Sequence, residues 1–343
     1  MDRSYYLELA AKGLRMPIGT HLVLHEQPDH EAIVKDGRRL GEVVAATARR
    51  FRTPMAVPLM DLKLEKEALL RARGVAPAAI DTFHFDDPPE PGGAIPLTGN
   101  MAAACSAIRH VAENEPDLLP MGMGIGPFSL MTKLIADPIT PVYMAGTGAG
   151  PDDEPEVALV ERLIDLSLHT IQGYLDAQIA AGAKAIILCE PAANTVYFSA
   201  NQLADNWEIF DRYVMAPNLR LRDQMAARGV DLVFHDCGEL IDGMVSRFAT
   251  LDPALLSLGS SRALWDDARL VPKRTVLYGN LPTKQFYSDE SVPLQRVREL
   301  AADLVARMRA AGHPFILGSE CDVLSVPGAE PTIAAKVQAF LEA

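Results

Sequence analysis

The feature that most narrows the fold of this chain is a short, β-rich apolar run that recurs eight times with helical stretches between. The runs are MAVPLMD (55–61), IDTFHFD (80–86), LLPMGMGIG (118–126), KAIILCE (184–190), VDLVFHD (230–236), ALLSLGS (254–260), TVLYGN (275–280) and HPFILGSE (313–320). Several are nearly continuous in apolar residues, as parallel strands covered on both faces must be. Between them, residues 155–181 carry Val160, Leu163, Ile164, Ile171 and Leu175 at helical spacing, and Gly182 ends the run. Residues 291–312 repeat the pattern with Val297, Leu300, Leu304 and Met308 and stop at Gly312, and PTIAAKVQAFLEA reads as a closing helix with Pro331 near its start.

Eight strands alternating with helices over 343 residues predict the α/β class and a (β/α)8, or TIM, barrel, with an open doubly wound sheet as the alternative. No GxGxxG follows the first strand and no GxxxxGK[ST] occurs, so neither a dinucleotide nor a nucleoside triphosphate site is indicated. Residues 1–52, with a helix expected across 29–51, read as an N-terminal helical extension packed on one barrel domain spanning 1–343. A formal charge of −13 with no Lys/Arg-rich run excludes a general nucleic-acid binder. No apolar stretch approaches the roughly 18 residues of a membrane span. The start, MDRSYYLELAAKG, lacks the pattern of a signal peptide, so a cytoplasmic protein is expected. Four cysteines (105, 189, 237 and 321) without a CxxC pair do not make a disulfide framework and are expected to be free thiols or metal ligands.

In such a barrel the chemistry sits at the C-terminal ends of the strands. Read in order, these ends carry Asp61, Asp86, Glu190, His235 with Cys237, Asn280, and Glu320 with Cys321. Buried polar groups left unpaired cost roughly 1–3 kcal/mol each, so a gathering of them at one mouth needs a reason. In the second run, Phe83 and Phe85 are expected to face the helices, turning His84 and Asp86 inward. His235 and Cys237, two apart on an extended chain, share a face, and Cys321 arrives at the same mouth. One nitrogen and two sulfurs with a fourth position open is the donor set of a catalytic zinc site, and soft sulfur favours zinc over magnesium or calcium. The plainer reading is a core strand that finishes in two polar residues, since free cysteine is among the most buried residue types. Cys105 and Cys189 read as core packing. Glu190, Asp61 and Asp86 either orient substrate or serve as caps and salt bridges; Asn280 either binds substrate or ties down a loop. Glu320, alternating with Cys321, either faces the metal as a displaceable ligand or points outward.

H-D-C-G (235–238), followed much later by E-C-D (320–322), resembles the His-x-Cys…Cys zinc signature of cobamide-dependent methyltransferases. These belong to the uroporphyrinogen decarboxylase superfamily, with the methylcobamide:coenzyme M methyltransferases among them. GPFSLMTKLI (126–135), AKAIILCEPAA (183–193) and LYGNL (277–281) are similar to stretches that mark the superfamily as a whole, and the likeness runs from about residue 50 to the C-terminus. The resemblance implies a (β/α)8 barrel and zinc on His235, Cys237 and Cys321. It also implies methyl transfer between a methyl-corrinoid and a small acceptor, a thiol held as zinc thiolate or a partner such as tetrahydrofolate. Glu190, Asp61, Asn280 and Glu320 become the catalytic candidates, and Asp86, His84 and Tyr278 the candidates for contacting the corrinoid. Corrinoid modules of the methionine-synthase type use D-x-H-x-x-G, but here Val233 stands where the Asp would be, so the corrinoid is expected on a partner protein or free in solution. The decarboxylases' R-Q-A-G-R segment is missing from GLRMPIGTHLVLHEQ, which argues against porphyrinogen decarboxylation. Glu190-Pro191 replaces the frequent Asp-Pro, and Leu281-Pro282-Thr283 follows the strand 7 Gly-Asn where an Asp is common. A decarboxylase of another acid and a non-catalytic tetrapyrrole-binding barrel are the alternatives.

Overall fold

Seven of the eight expected strands form where the apolar runs place them, and the eighth comes from elsewhere in the chain. The computed structural model describes residues 3–94, 96–97 and 99–343. Its strands are β1 (Arg15–Ile18), β2 (Met55–Ala56), β3 (Leu119–Ile125), β4 (Ala185–Cys189), β5 (Asp231–Asp236), β6 (Leu255–Leu258), β7 (Val276–Leu281) and β8 (Phe315–Asp322). All neighbouring pairs are parallel, in the order β1-β8-β7-β6-β5-β4-β3-β2, so the sheet curls into a TIM-barrel-like fold with a seam between β1 and β2. Across that seam the Thr20 hydroxyl donates to the Val57 carbonyl at 2.7 Å.

The strand expected over 80–86 does not form. That segment follows a short 3-10 turn (Pro77–Ala79) and runs as irregular chain. Phe83 and Phe85 pack edge to face, with centroids 5.0 Å apart, and the Phe85 amide donates to Leu134 O. Alternating aromatics mimic a strand, but β2 and β3 pair directly with each other and leave no place between them. The first strand lies instead at Arg15–Ile18, inside the segment expected to be only a helical extension. Its signal is weak because it is short and contains Pro17, which has no amide to give a ladder. The register with β8 shifts between Met16 and Ile18, and the strand borders the seam, where such a residue is tolerated.

The two faces of the sheet sort their side chains by alternation. Met16, Met55, Met121, Met123, Ile187, Val233, Tyr278 and Ile316 fill the barrel, whereas Ile186, Leu188, Phe234, Leu256 and Leu317 face the helices. Gly318 makes room for the Tyr278 ring, which would lie 2.3 Å from an added Cβ. Helix Ser4–Ala11 places Tyr6 and Leu9 in the interior cluster and closes the N-terminal base of the barrel. The Tyr6 hydroxyl hydrogen-bonds Asp231 Oδ2 at 2.9 Å. The amphipathic stretches form helices Pro155–Ala180, Leu294–Ala311 and Glu330–Glu342, and Gly312 ends the second in the left-handed conformation at φ 62°.

Candidate metal centre

At the C-terminal mouth, β5 and β8 bring His235, Cys237 and Cys321 together, with their ligand atoms within 4.8 Å of one another. The sulfurs of Cys237 and Cys321 lie 3.8 Å apart. His235 sits in register with Ser257 on β6, whose hydroxyl lies 2.8 Å from His235 Nδ1. With Nδ1 so engaged, Nε2 is buried and has no protein partner. An orphaned ring nitrogen beside two thiols is costly unless something else binds it. Two zinc–sulfur bonds of about 2.3 Å at a tetrahedral angle separate their sulfurs by about 3.8 Å, so the donor set fits zinc in both chemistry and spacing.

The residues around the triad hold its shape. The fully buried Asp236 accepts the Gly238 amide through Oδ1 at 2.7 Å, forming the turn that carries Cys237. A Cβ on Gly259 would lie 2.9 Å from the Cys237 carbonyl oxygen, so the β6 loop approaches Cys237 as closely as only glycine allows. Contact with the Cys321 sulfur, seconded by His235 and the Lys284 ammonium, holds the Cys237 thiol well below its ordinary pKa despite burial. The Met60 sulfur lies 3.8 Å from Cys321 Sγ on the other side. Asp322, next in sequence, bonds His21 Nδ1; burial raises the carboxyl above its usual range although this bond opposes it. Burial works against a charged His21, but Asp322 and Asp61 outweigh it and raise that imidazole.

The other residues singled out from sequence fare differently. Asp61 is half-buried in the loop after β2 and accepts the Lys63 amide at 3.0 Å. Glu320 accepts Ser260 Oγ at 2.6 Å and the Lys284 amide at 3.3 Å, and Asn280 donates to Gly259 O and Arg262 O at 2.7 and 2.8 Å. These two side chains tie together the loops that surround the triad. Glu190 points the other way: it is fully buried against the helix layer, accepting the Ser129 amide at 2.5 Å and Asn218 Nδ2 at 2.8 Å. Burial lifts its pKa to about 7, against the pull of those bonds. The inward face of β4 belongs instead to Cys189, which is interior packing as expected. Tyr278 is buried inside the barrel below the mouth, bonding Met16 O at 3.0 Å, which corrects its assignment to a corrinoid-contacting surface. His84 and Asp86 are exposed on the irregular segment, so their inward placement is also corrected; without a strand there, alternation assigns them no face. Sequence reasoning gave no role to Ser257 or Lys284, nor to Asp236 and Asp322 within the quoted motifs, and it left His21 as a surface or core residue for want of partner spacing. Only the pairing of Ser257 with His235 had an available signal, the matching position in consecutive strands.

A family model described as "Uroporphyrinogen decarboxylase (URO-D)" matches residues 29–343. The chain belongs to this family. Two strains of Caulobacter vibrioides supply relatives named uroporphyrinogen decarboxylase, each 24% identical over 285 residues, covering 80% of this chain and 75% of theirs. Among solved structures, a methyltransferase from Methanosarcina mazei superposes with a TM-score of 0.67 over 98% of this chain and 97% of its own. At 17% identity that likeness speaks to the fold. The family fold is the one reached from the strand count, and its members include enzymes. Among the described residues no helix is long and apolar enough to cross a membrane.

Proposed function

We propose that this member of the uroporphyrinogen decarboxylase family is a zinc-dependent methyltransferase that moves a methyl group between a methyl-corrinoid and a small acceptor, a thiol first of all. The observation that carries the reading is the unpartnered Nε2 of His235 beside two sulfurs 3.8 Å apart. His235, Cys237 and Cys321 would hold the metal. Zinc bound there supplies the Lewis acidity that keeps an acceptor thiol deprotonated at neutral pH.

The chain's own groups prepare that site. Ser257 fixes the imidazole so that Nε2 is the free donor, as partners of metal-binding histidines generally do. Asp236 sets the turn of Cys237, and Glu320 and Asn280 hold the rim loops at fixed distances. Below, the packed interior around Met123 and Tyr278 closes the barrel to water. A reactant pair held in the mouth would thereby be oriented for methyl transfer, in which the thiolate takes the methyl group and the cobalt–carbon bonding pair stays with the departing corrinoid. Tetrahydrofolate in place of the thiol, and a corrinoid protein in place of free cobalamin, belong to the same proposal. The proposed setting is the cytoplasm.

A second reading, decarboxylation of a carboxylic acid, draws on the names of the Caulobacter relatives. One experiment separates the two: metal analysis of the tag-free protein, followed by thiol-dependent demethylation of methylcobalamin. About one zinc per chain, lost in Cys237→Ala and Cys321→Ala together with demethylation, supports methyl transfer. A wild-type chain that binds no zinc sinks it and turns attention to carbon dioxide release from acid substrates.

A further inference from the structure

On the C-terminal side of β2 and β3 lies a cleft of about 270 Å³ walled by Lys63, Lys66, Ile80, Asp81, His84 and Lys133. Lys63 and Lys66 come from the segment that leaves β2, and Lys133 follows helix Pro127–Thr132, which leaves β3. In a chain of net charge −13, three lysines converging on one small cleft need an explanation. Three ammonium groups and one carboxylate line the wall, with Asp61 and the buried Glu65 near enough to act on Lys133. Asp81 reaches only Lys63, at 3.8 Å and in full view of solvent, where such a pair is worth little. Lys66 is 7% exposed, yet its ammonium is held only by the Asp81 carbonyl at 3.2 Å. Among the described residues neither Lys66 nor Lys133 has a carboxylate within ion-pairing distance.

An ammonium partly withdrawn from water without a counter-ion is unfavourable, and two more brought beside it make it worse. Burial and the neighbouring lysines lower the pKa of both Lys66 and Lys133, while Asp81 opposes this at each, joined at Lys133 by Glu65 and Asp61. A bound anion would relieve all of these costs. The cleft is too small for a whole tetrapyrrole and of a size for one charged group. One short stretch of chain links it to the candidate metal centre: Met60 touches Cys321, and Lys63 is three residues further on, at most about 11 Å along the chain.

We propose that Lys63, Lys66, Lys133 and His84 form an anion subsite that grips one phosphate or carboxylate group of the ligand on which the mouth acts. His84 thus has a place at the site from outside the barrel. The subsite is independent of the metal reading, because methyl transfer and decarboxylation both admit a ligand with such a group. Two sources share this chemistry, the phosphodiester of a corrinoid and a carboxylate on a smaller reactant.

Inorganic phosphate titrated into the zinc-loaded chain and followed by calorimetry tests it, beside Lys133→Met, Lys63→Ala and Lys66→Met. One saturable site is expected, weakened about tenfold by loss of Lys133. Lys66→Met reaches into the interior and is read only if its circular dichroism matches wild type; the other two variants carry the test without it. Displacement of phosphate by methylcobalamin assigns the site to the corrinoid, and displacement by 3-mercaptopropionate assigns it to the smaller reactant. Phosphate binding that does not saturate, or that is equal in wild type, Lys133→Met and Lys63→Ala, overturns the proposal. Zinc-stripped protein should bind phosphate as well as holoprotein, so failure of the metal reading and failure of this one are told apart.

Discussion

The two ends of the barrel solve opposite problems. At the N-terminal base, helix Ser4–Ala11 pushes Tyr6 and Leu9 into the interior, Tyr6 pairs with Asp231, and Arg3 pairs with Asp252 and reaches the Pro253 carbonyl. At the C-terminal mouth, His235 Nε2 and Asp322 Oδ1 are buried and unpaired, and two free thiols face each other. The base spends its residues on closure. The mouth keeps donors and acceptors unmatched, which destabilises the chain and makes sense where a ligand will match them.

That contrast breaks most sharply at the triad. Cys321→Ala should abolish zinc binding and methyl transfer while leaving the metal-free chain folded, which metal analysis and thermal melting of apo-protein would check. Zinc retained by this variant would place the metal elsewhere. Leu9→Ala should do the reverse at the base, costing about 2–5 kcal/mol in urea unfolding with zinc stoichiometry unchanged.

A third test concerns pH. Glu65 is fully buried; its Oε1 accepts the Ile125 amide at 3.0 Å, its Oε2 has no partner, and burial raises its pKa to about 8. Between its unfolded value near 4.3 and about 8 the folded chain holds a proton that the unfolded chain has lost, so stability falls as pH rises through this window. The contribution is on the order of a few kcal/mol, and Glu65→Gln should flatten the decline measured by urea unfolding at pH 5, 6.5 and 8. An unchanged slope would mean that Glu65 is ionised in the folded protein. The smallest effect is expected at Ser257→Ala: zinc affinity down about 10- to 100-fold by chelator competition, with the melting temperature of the apo-protein nearly unaltered.

How far the sequence reached depended on the kind of signal. Seven strands were legible because a buried parallel strand must be apolar along its whole length, a local property. The strand at Arg15–Ile18 was not, since four residues around Pro17 carry too little pattern, and IDTFHFD imitated one by putting Phe83 and Phe85 two apart. His235 and Cys237 were legible as a pair because two residues on one extended strand share a face. Cys321 joined them through the expectation that every strand of a barrel delivers its end to one mouth.

The sequence by itself determined the strand–helix alternation, the barrel class and the identity of three candidate ligands, because periodicity and residue chemistry are written in neighbouring positions. Only the tertiary structure decided which face each polar strand end serves. It turned Glu190 into the helix layer, sank Tyr278 below the mouth, set Ser257 behind His235 and gathered Lys63, Lys66 and Lys133 into one cleft. Those outcomes follow from register, strand closure and loop paths, which depend on contacts between residues tens to hundreds of positions apart.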